Sequence, residues 1–347
     1  MPERMSLYQY LLVGVEPTPG GSPTSWRQMP YWEFTPAIDP DVETYRSPGV
    51  AFAQAAALID ERVEGTLRGP LDYESLLWLA SAVLCQPDSA AVVDGVRRYT
   101  FSPVSDAANV RDTWTLHQAQ PGGRAQQMAF TAPRSLNLNL DLEACTFECD
   151  VLAQPLEDDV TLVGVPYERD MQPVAPPHVM VYLADTAAGL AGASALERAR
   201  RVQWGLTELY NPVRPLDGVT GYSALADLAP GSTVKLLMAA DAEGMALLTT
   251  MRDGATKFMR LVMQGESIGS GSDVATIQMD TALKCVNVSP FEDDDGLYAI
   301  EWEFEIAHDA TWGRAMQWQI TSEVLSMTAI WSLDFEQDYN SGMLAAI

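Results

Sequence analysis

Val63-Glu64-Gly65-Thr66-Leu67-Arg68-Gly69-Pro70, followed by Leu71-Asp72-Tyr73-Glu74-Ser75-Leu76-Leu77-Trp78-Leu79, is the stretch on which the reading of the fold turns. Arg62 to Leu67 reads as a strand. Pro70 sits just ahead of a helix, Asp72 is placed to cap it, and Ser75 is the third residue after that cap. Leu76, Leu77, Leu79, Ala80, Val83 and Leu84 then give a helical apolar face that ends before Gln86-Pro87.

On the N-terminal side lies a Pro/Gly-rich segment, residues 14–49, with prolines at 17, 19, 23, 30, 36, 40 and 48. These exclude helix and disfavour a central strand. Trp26, Tyr31, Trp32, Phe34 and Tyr45 are interleaved with them. They are too many for an inert linker. Two readings compete: aromatics packed on the domain's own surface, and an extended arm that docks on a neighbouring subunit. Trp and Tyr are favoured anchors at interfaces, and the arm is the reading preferred.

On the C-terminal side the sequence is patterned for strands. Tyr99 to Phe101 and Thr113 to His117 are short strand candidates, and Pro121-Gly122-Gly123 reads as a turn. Leu136, Leu138, Leu140 and Leu142 alternate with Asn137, Asn139, Asp141 and Glu143, and Phe147 to Leu152 is expected to return antiparallel. A boundary is expected between Glu157-Asp158-Asp159 and the Pro-rich stretch Gln172 to Pro177. Beyond it come strands at Val179 to Leu183, Arg201 to Tyr210 and Val234 to Met238, a short helix at Glu243 to Met251, and a strand at Thr256 to Met263. A long strand follows at Ala275 to Val288, then an acidic turn at Phe291 to Gly296. Tyr298, Ile300, Trp302, Phe304 and Ile306 alternate with Glu301, Glu303 and Glu305 in the clearest strand of all. Each half reads as strand, short helix, strand, long strand, turn, long strand. This order is the ground for expecting two β domains, 1–165 and 166–347.

Composition sets limits. With 347 residues and 47% hydrophobic content the chain can bury a real core. Acidic residues outnumber basic ones 47 to 21, and Lys235, Lys257 and Lys284 are the only lysines. A net charge of −26 excludes a general nucleic-acid binder, which needs clustered cations. DNA passing close to such a surface would be repelled, not held. No leader peptide and no run of eighteen apolar residues is read, so synthesis in a cytoplasm without membrane insertion is expected. Cys145 and Cys149, four apart on a strand, share a face about 13 Å apart and cannot bridge. With Cys85 and Cys285 they are expected to be free thiols.

No constellation of residues carries catalysis. His117, His178 and His308 are each isolated from other metal ligands in sequence. Gly269-Ser270-Gly271-Ser272 lacks the Lys-Ser/Thr and helix of a phosphate loop. Glu292-Asp293-Asp294-Asp295 lacks calcium-loop spacing. Glu301, Glu303 and Glu305 lie on one strand face, which is not the opposed pair a glycosidase needs. They form an acidic stripe that must be solvated or matched by arginines of a neighbour. Neither a catalytic residue, a metal nor a cofactor is expected.

The chain resembles the tail tube proteins of long, non-contractile-tailed bacteriophages. The resemblance rests on Gly14-Val15-Glu16-Pro17-Thr18-Pro19-Gly20, the segment after it, Glu64-Gly65-Thr66-Leu67 with the helix start Leu71-Asp72-Tyr73-Glu74, and the strand pairs at 136–152 and 275–306. It covers most of the chain, with loose motifs in a defined order. It implies a mainly β chain with tail-tube-type sandwich or barrel domains and short flanking helices, in tandem, forming trimeric rings of pseudo-sixfold symmetry; a hexamer of one elaborated domain is the alternative. The rings would stack into a hollow tube that holds the tape measure protein, meets tail terminator and distal tail proteins at its ends, and passes DNA without specific binding. Trp26, Tyr31, Trp32 and Phe34 would then be the arm between subunits, and Glu301, Glu303 and Glu305 a lumen or interface stripe. The competing readings are a distal or minor tail ring component, another tube-forming secretion-type protein, and an acidic β-sandwich hydrolase.

Overall fold

The computed structural model describes residues 10–29, 31–89, 95–120, 124–161, 172–215, 220–240, 254–269, 271–294 and 296–324. The chain is mainly β, with one α-helix among the described residues. In order, the first half holds β1 (Tyr10–Val15), β2 (Arg27–Met29), β3 (Glu33–Tyr45), β4 (Ala55–Pro70), α1 (Ser75–Val83), β5 (Asp88–Ser89), β6 (Arg97–Phe101), β7 (Trp114–Gln120), β8 (Arg124–Pro133), β9 (Leu136–Leu140), β10 (Cys145–Ala153) and β11 (Glu157–Thr161). The second holds β12 (Val179–Ala184), β13 (Ala199–Thr207), β14 (Tyr210–Val213), β15 (Ala224–Asp227), β16 (Gly231–Ala239), β17 (Lys257–Ser267), β18 (Val274–Val288), β19 (Glu292–Asp294), β20 (Leu297–Ile306) and β21 (Met316–Ser322). The expected turn at Pro121-Gly122-Gly123 and helix at Glu243 to Met251 lie outside the described residues.

Every pairing between these strands is antiparallel. Eight of them form one continuous run, β3-β4-β10-β9-β13-β16-β20-β18. The run crosses the middle of the chain where β9 meets β13, with Leu136 opposite Leu206, Leu138 opposite Trp204 and Leu140 opposite Val202. A second correspondence lies in the pairing scheme. In the first half β1 pairs β7, β7 pairs β8, β8 pairs β11, β9 pairs β10, β10 pairs β4 and β4 pairs β3. In the second, β12 pairs β17, β17 pairs β18, β18 pairs β21 and β20, β20 pairs β16, and β16 pairs β13. Strand for strand these are the same six pairings, with the long β18 standing for both β8 and β9.

Alternation decides which face is buried. Leu136, Leu138 and Leu140 are buried as their period requires, as are Ile300, Trp302 and Phe304. The pattern breaks where the chain turns, although the sequence keeps alternating. Leu142 is exposed because the Asp141 carboxylate accepts the Glu143 and Ala144 N–H groups, at 2.8 Å each, and closes a turn there. Tyr298, at the start of β20, is exposed as well. The strand expected from Arg201 to Tyr210 is divided in two, with Glu208 at φ 56 between β13 and β14.

One apolar core spans both halves. Trp32 packs on Phe147 and Trp114, at ring-centroid distances of 5.2 and 6.2 Å, and Trp204 packs edge-on against Trp318 at 4.8 Å. A fully buried side chain of this size contributes about 2–3 kcal/mol. α1 sits within this core. Its start is held as expected: Asp72 Oδ1 accepts the Glu74 and Ser75 N–H groups at 2.9 and 2.7 Å. The expected single apolar face is a correction. All nine residues are buried, Ser81 included, whose hydroxyl donates to the Trp78 carbonyl at 2.9 Å. The Pro-rich stretch after residue 172 is stitched back to this helix entry, for Val174 N–H donates to the Leu71 carbonyl at 2.7 Å.

Candidate assembly surfaces: a polar sheet face and a projecting hairpin

The eight-strand run buries one face and presents the other. Its open face carries cross-strand rows of mostly polar residues, interrupted by Gly205 and Leu237. One row runs Glu33, Arg68, Glu148, Asn137, Gly205, Thr233, each opposite the next. The adjacent row runs Thr146, Asn139, Gln203, Lys235, Glu303, Asn287. A third places Arg201 opposite Leu237 and Leu237 opposite Glu301. Two open depressions mark this face, one around Tyr31, Arg68, Asn139 and Glu148, the other around Thr35, Glu64, Arg134 and Asp150.

Charge on this face is matched within the chain. Arg68 pairs with Glu33 at 3.2 Å, Arg62 with Asp39 and Glu64 at 3.2 and 3.1 Å, and Arg134 with Glu64 at 3.3 Å. The acidic stripe is expected to be solvated or matched by a neighbour's arginines. Glu301 instead meets Arg201 at 2.8 Å and Lys235 at 3.7 Å, and Glu303 lies 4.0 Å from Lys235. Glu305 sits opposite Lys284. All three glutamates share the open face, as their spacing requires. Most of these groups are partly exposed, so each pair contributes no more than about 1 kcal/mol. Their consequence is a face whose arginines are already engaged by carboxylates.

The expected arm needs correction. Of its four named aromatics, Trp32 and Phe34 are buried in the chain's own core. Trp26 stacks on His117 with ring centroids 3.8 Å apart. Only Tyr31 is exposed. The segment is anchored by Arg27, which is 2% exposed, bonds Glu74 at 2.6 Å and lies 4.5 Å over the Trp78 ring. Trp32 and Phe34 are thus covered by the chain itself. What does project is the next piece of chain. β3 and β4 continue past the body as a hairpin in which residues 37–59 are all exposed. Ile38, Val42, Tyr45, Val50, Phe52, Leu58 and Ile59 lie on it, with Phe52 82% exposed. Its root is fixed by buried Asp60, which pairs with Arg214 at 3.0 Å and accepts the Gly221 N–H at 3.1 Å. Seven exposed apolar side chains thus lie on this one element, a concentration that makes it a candidate for interaction.

Groups with chemistry elsewhere are occupied structurally. His117 Nε2 lies 2.7 Å from Gln127 Oε1, and burial holds its pKa below the ordinary value. His178 lies 3.4 Å from the Tyr73 hydroxyl, and His308 lies 3.1 Å from Ser105. All four cysteines are free; burial pushes the Cys145 thiol up to about 11 and that of Cys149 higher still. Among the described residues no group of His, Cys, Asp or Glu is arranged to hold a metal ion, and no helix is long and apolar enough to cross a membrane. Compared with protein-family models and with curated proteins, the chain matches none.

Proposed function

We propose that this chain is a non-enzymatic structural protein that assembles with itself into stacked rings, as the tail tube of a long, non-contractile phage tail. The observation that carries the reading is the eight-strand run, polar on one face and core-forming on the other, with an edge left open along β3 and along the end of β18 past Leu283 among the described residues. Repeating such a sheet around an axis would give a channel with a hydrophilic wall. The matched charges of that wall leave few cations to grip phosphates, which suits a conduit for DNA and a lumen filled by a tape measure protein. The recurring six pairings support reading 1–165 and 166–347 as two copies in tandem, and hence a trimeric ring of pseudo-sixfold symmetry.

The projecting hairpin is read as the contact between stacked rings, replacing the aromatic arm expected from sequence. Negative-stain electron microscopy of the purified protein, before and after concentration, tests the function. Long hollow tubes with regular striation are expected, with top views counting threefold against sixfold. Phe52→Ser together with Val50→Ser should leave thermal unfolding of the isolated chain within about 0.5 kcal/mol, since both sites are exposed, while abolishing tubes. A chain that forms no rings or tubes at any concentration would overturn the proposal.

A further inference from the structure

The junction between β9 and β13 supplies a template for how one chain meets the next. It can be transferred because the two halves share a register landmark. In the first half one extra residue lies between Pro133, opposite Val151, and Asn137, opposite Glu148. In the second the same bulge lies between Cys285, opposite Phe304, and Asn287, opposite Glu303. Matching Pro133 to Cys285 matches Leu136 to Val288 and Leu138 to Pro290. Across the sheet, Val151 leads through Gly65 to Pro36, and Phe304 leads through Val234 to Trp204. Pro36 therefore stands where Trp204 stands, and Ile38 where Leu206 stands.

We propose that Pro36 to Pro40 on the outer edge of β3 seat against residues 286–290, at the end of β18, in a second copy, and that Pro36 and Pro40 keep this seam weaker than the one inside the chain. The inference rests on the self-assembly proposed above. Both edges are open among the described residues: β3 pairs only with β4, and past Leu283, opposite Lys257, no described strand lies on that side of β18.

Backbone direction makes the prolines decisive. Arg134 and Ser135 N–H groups donate to the Asp150 carbonyl at 2.6 and 3.3 Å, so Asp150 faces β9 and, by alternation, Val151 faces β4. Leu71 N–H, donating to the Cys145 carbonyl at 2.9 Å, fixes the same parity. Gly65 then turns its backbone to Val151, and its other neighbour Pro36 turns outward. Ile38 and Pro40 share that direction. On β18, Ser289 N–H donates to the Glu301 carbonyl at 2.8 Å, so Val288 faces away from β20. In the transferred register Ile38 meets Val288 with donors on both sides. Beside it Pro36 meets Pro290, and neither can donate. Inside the chain the matching pair, Trp204 and Leu138, has both donors. A proline-blunted edge guards against uncontrolled pairing. The seam would form only where ring contacts or a template add to it.

Two measurements test this on the full chain. Asp39→Cys with Asn287→Cys, in a Cys285→Ser background, places thiols at the position equivalent to Thr207 and Ser135. Oxidation after assembly should give a ladder of covalent multimers that neither single cysteine gives. Pro36→Thr with Pro40→Thr, the first at a half-buried site and the second at an exposed one, with unfolding compared to the parent, should lower the concentration needed for assembly by about tenfold, as two restored donors would. Tubes without the ladder, or a threshold that does not move, would overturn the seam and leave the tube proposal standing. Cross-linked closed rings that never stack would support the seam and sink the tube. A chain monomeric in both parent and proline variants overturns both.

Discussion

Arg201 on β13 reaches across the whole of β16 to bond Glu301 on β20, at 2.8 Å, passing over Leu237, which lies opposite both. The bridge ties three strands of the open face together, and Lys235 stands beside it at 3.7 Å from the same carboxylate. Because Arg201 is 38% exposed and Glu301 21%, water screens the pair. Glu301→Gln should therefore cost under about 1 kcal/mol in chemical denaturation and leave the fold intact. A loss of several kcal/mol would mean that the face is shielded from solvent in the isolated chain.

Gly65 is required by a close approach. A Cβ there would meet the Phe34 ring at 2.5 Å and the Thr35 carbonyl at 3.0 Å. Phe34 is held by the core and cannot swing aside. Gly65→Ala should destabilise by about 1–3 kcal/mol, read as a lower midpoint in urea. An unchanged midpoint would refute the packing of Phe34 over β4.

Acid should act on three aspartates in opposite senses. The Ala144 backbone N–H, ahead of that of Glu143 and the Asn139 amide, holds the Asp141 carboxyl below its ordinary 3.8. A depressed carboxylate supports the fold above 3.8, and that support is lost as pH falls through its folded value. Burial raises Asp72 and Asp112, against hydrogen bonds that pull the other way. Those two oppose the fold when ionised and cease to do so as pH falls through their folded values. Carboxyl NMR titration should place Asp141 below 3.8 and Asp72 and Asp112 above it. The reverse order would contradict the hydrogen bonding at the β9–β10 turn.

Local pattern carried a good part of this fold. Leu136 to Leu140 and Ile300 to Phe304 declare a buried face by period two, and Pro70 with Asp72 marks the helix start. The acidic stripe was legible as three side chains on one face. Its partners were not, because Arg201 and Lys235 reach it only after β13, β16 and β20 have paired. The Pro-rich segment misled for a related reason. Composition gives the number of aromatics but not what covers them, and Trp32 and Phe34 found Phe147, Trp114 and Gly65 inside the same chain. The hairpin is not announced by its sequence because its apolar residues, Ile38 to Ile59, follow no strict period and, among the described residues, are left exposed.

The helix that follows β4 has a consequence for how the molecule opens. A nine-residue helix is marginal alone in water, and this one has no residue facing solvent. It cannot fray outward while the strands around it stay closed. Its amide hydrogens should exchange with deuterium only as fast as the surrounding core comes apart, so the slowest amides of α1 time the opening of the body rather than any motion of the helix.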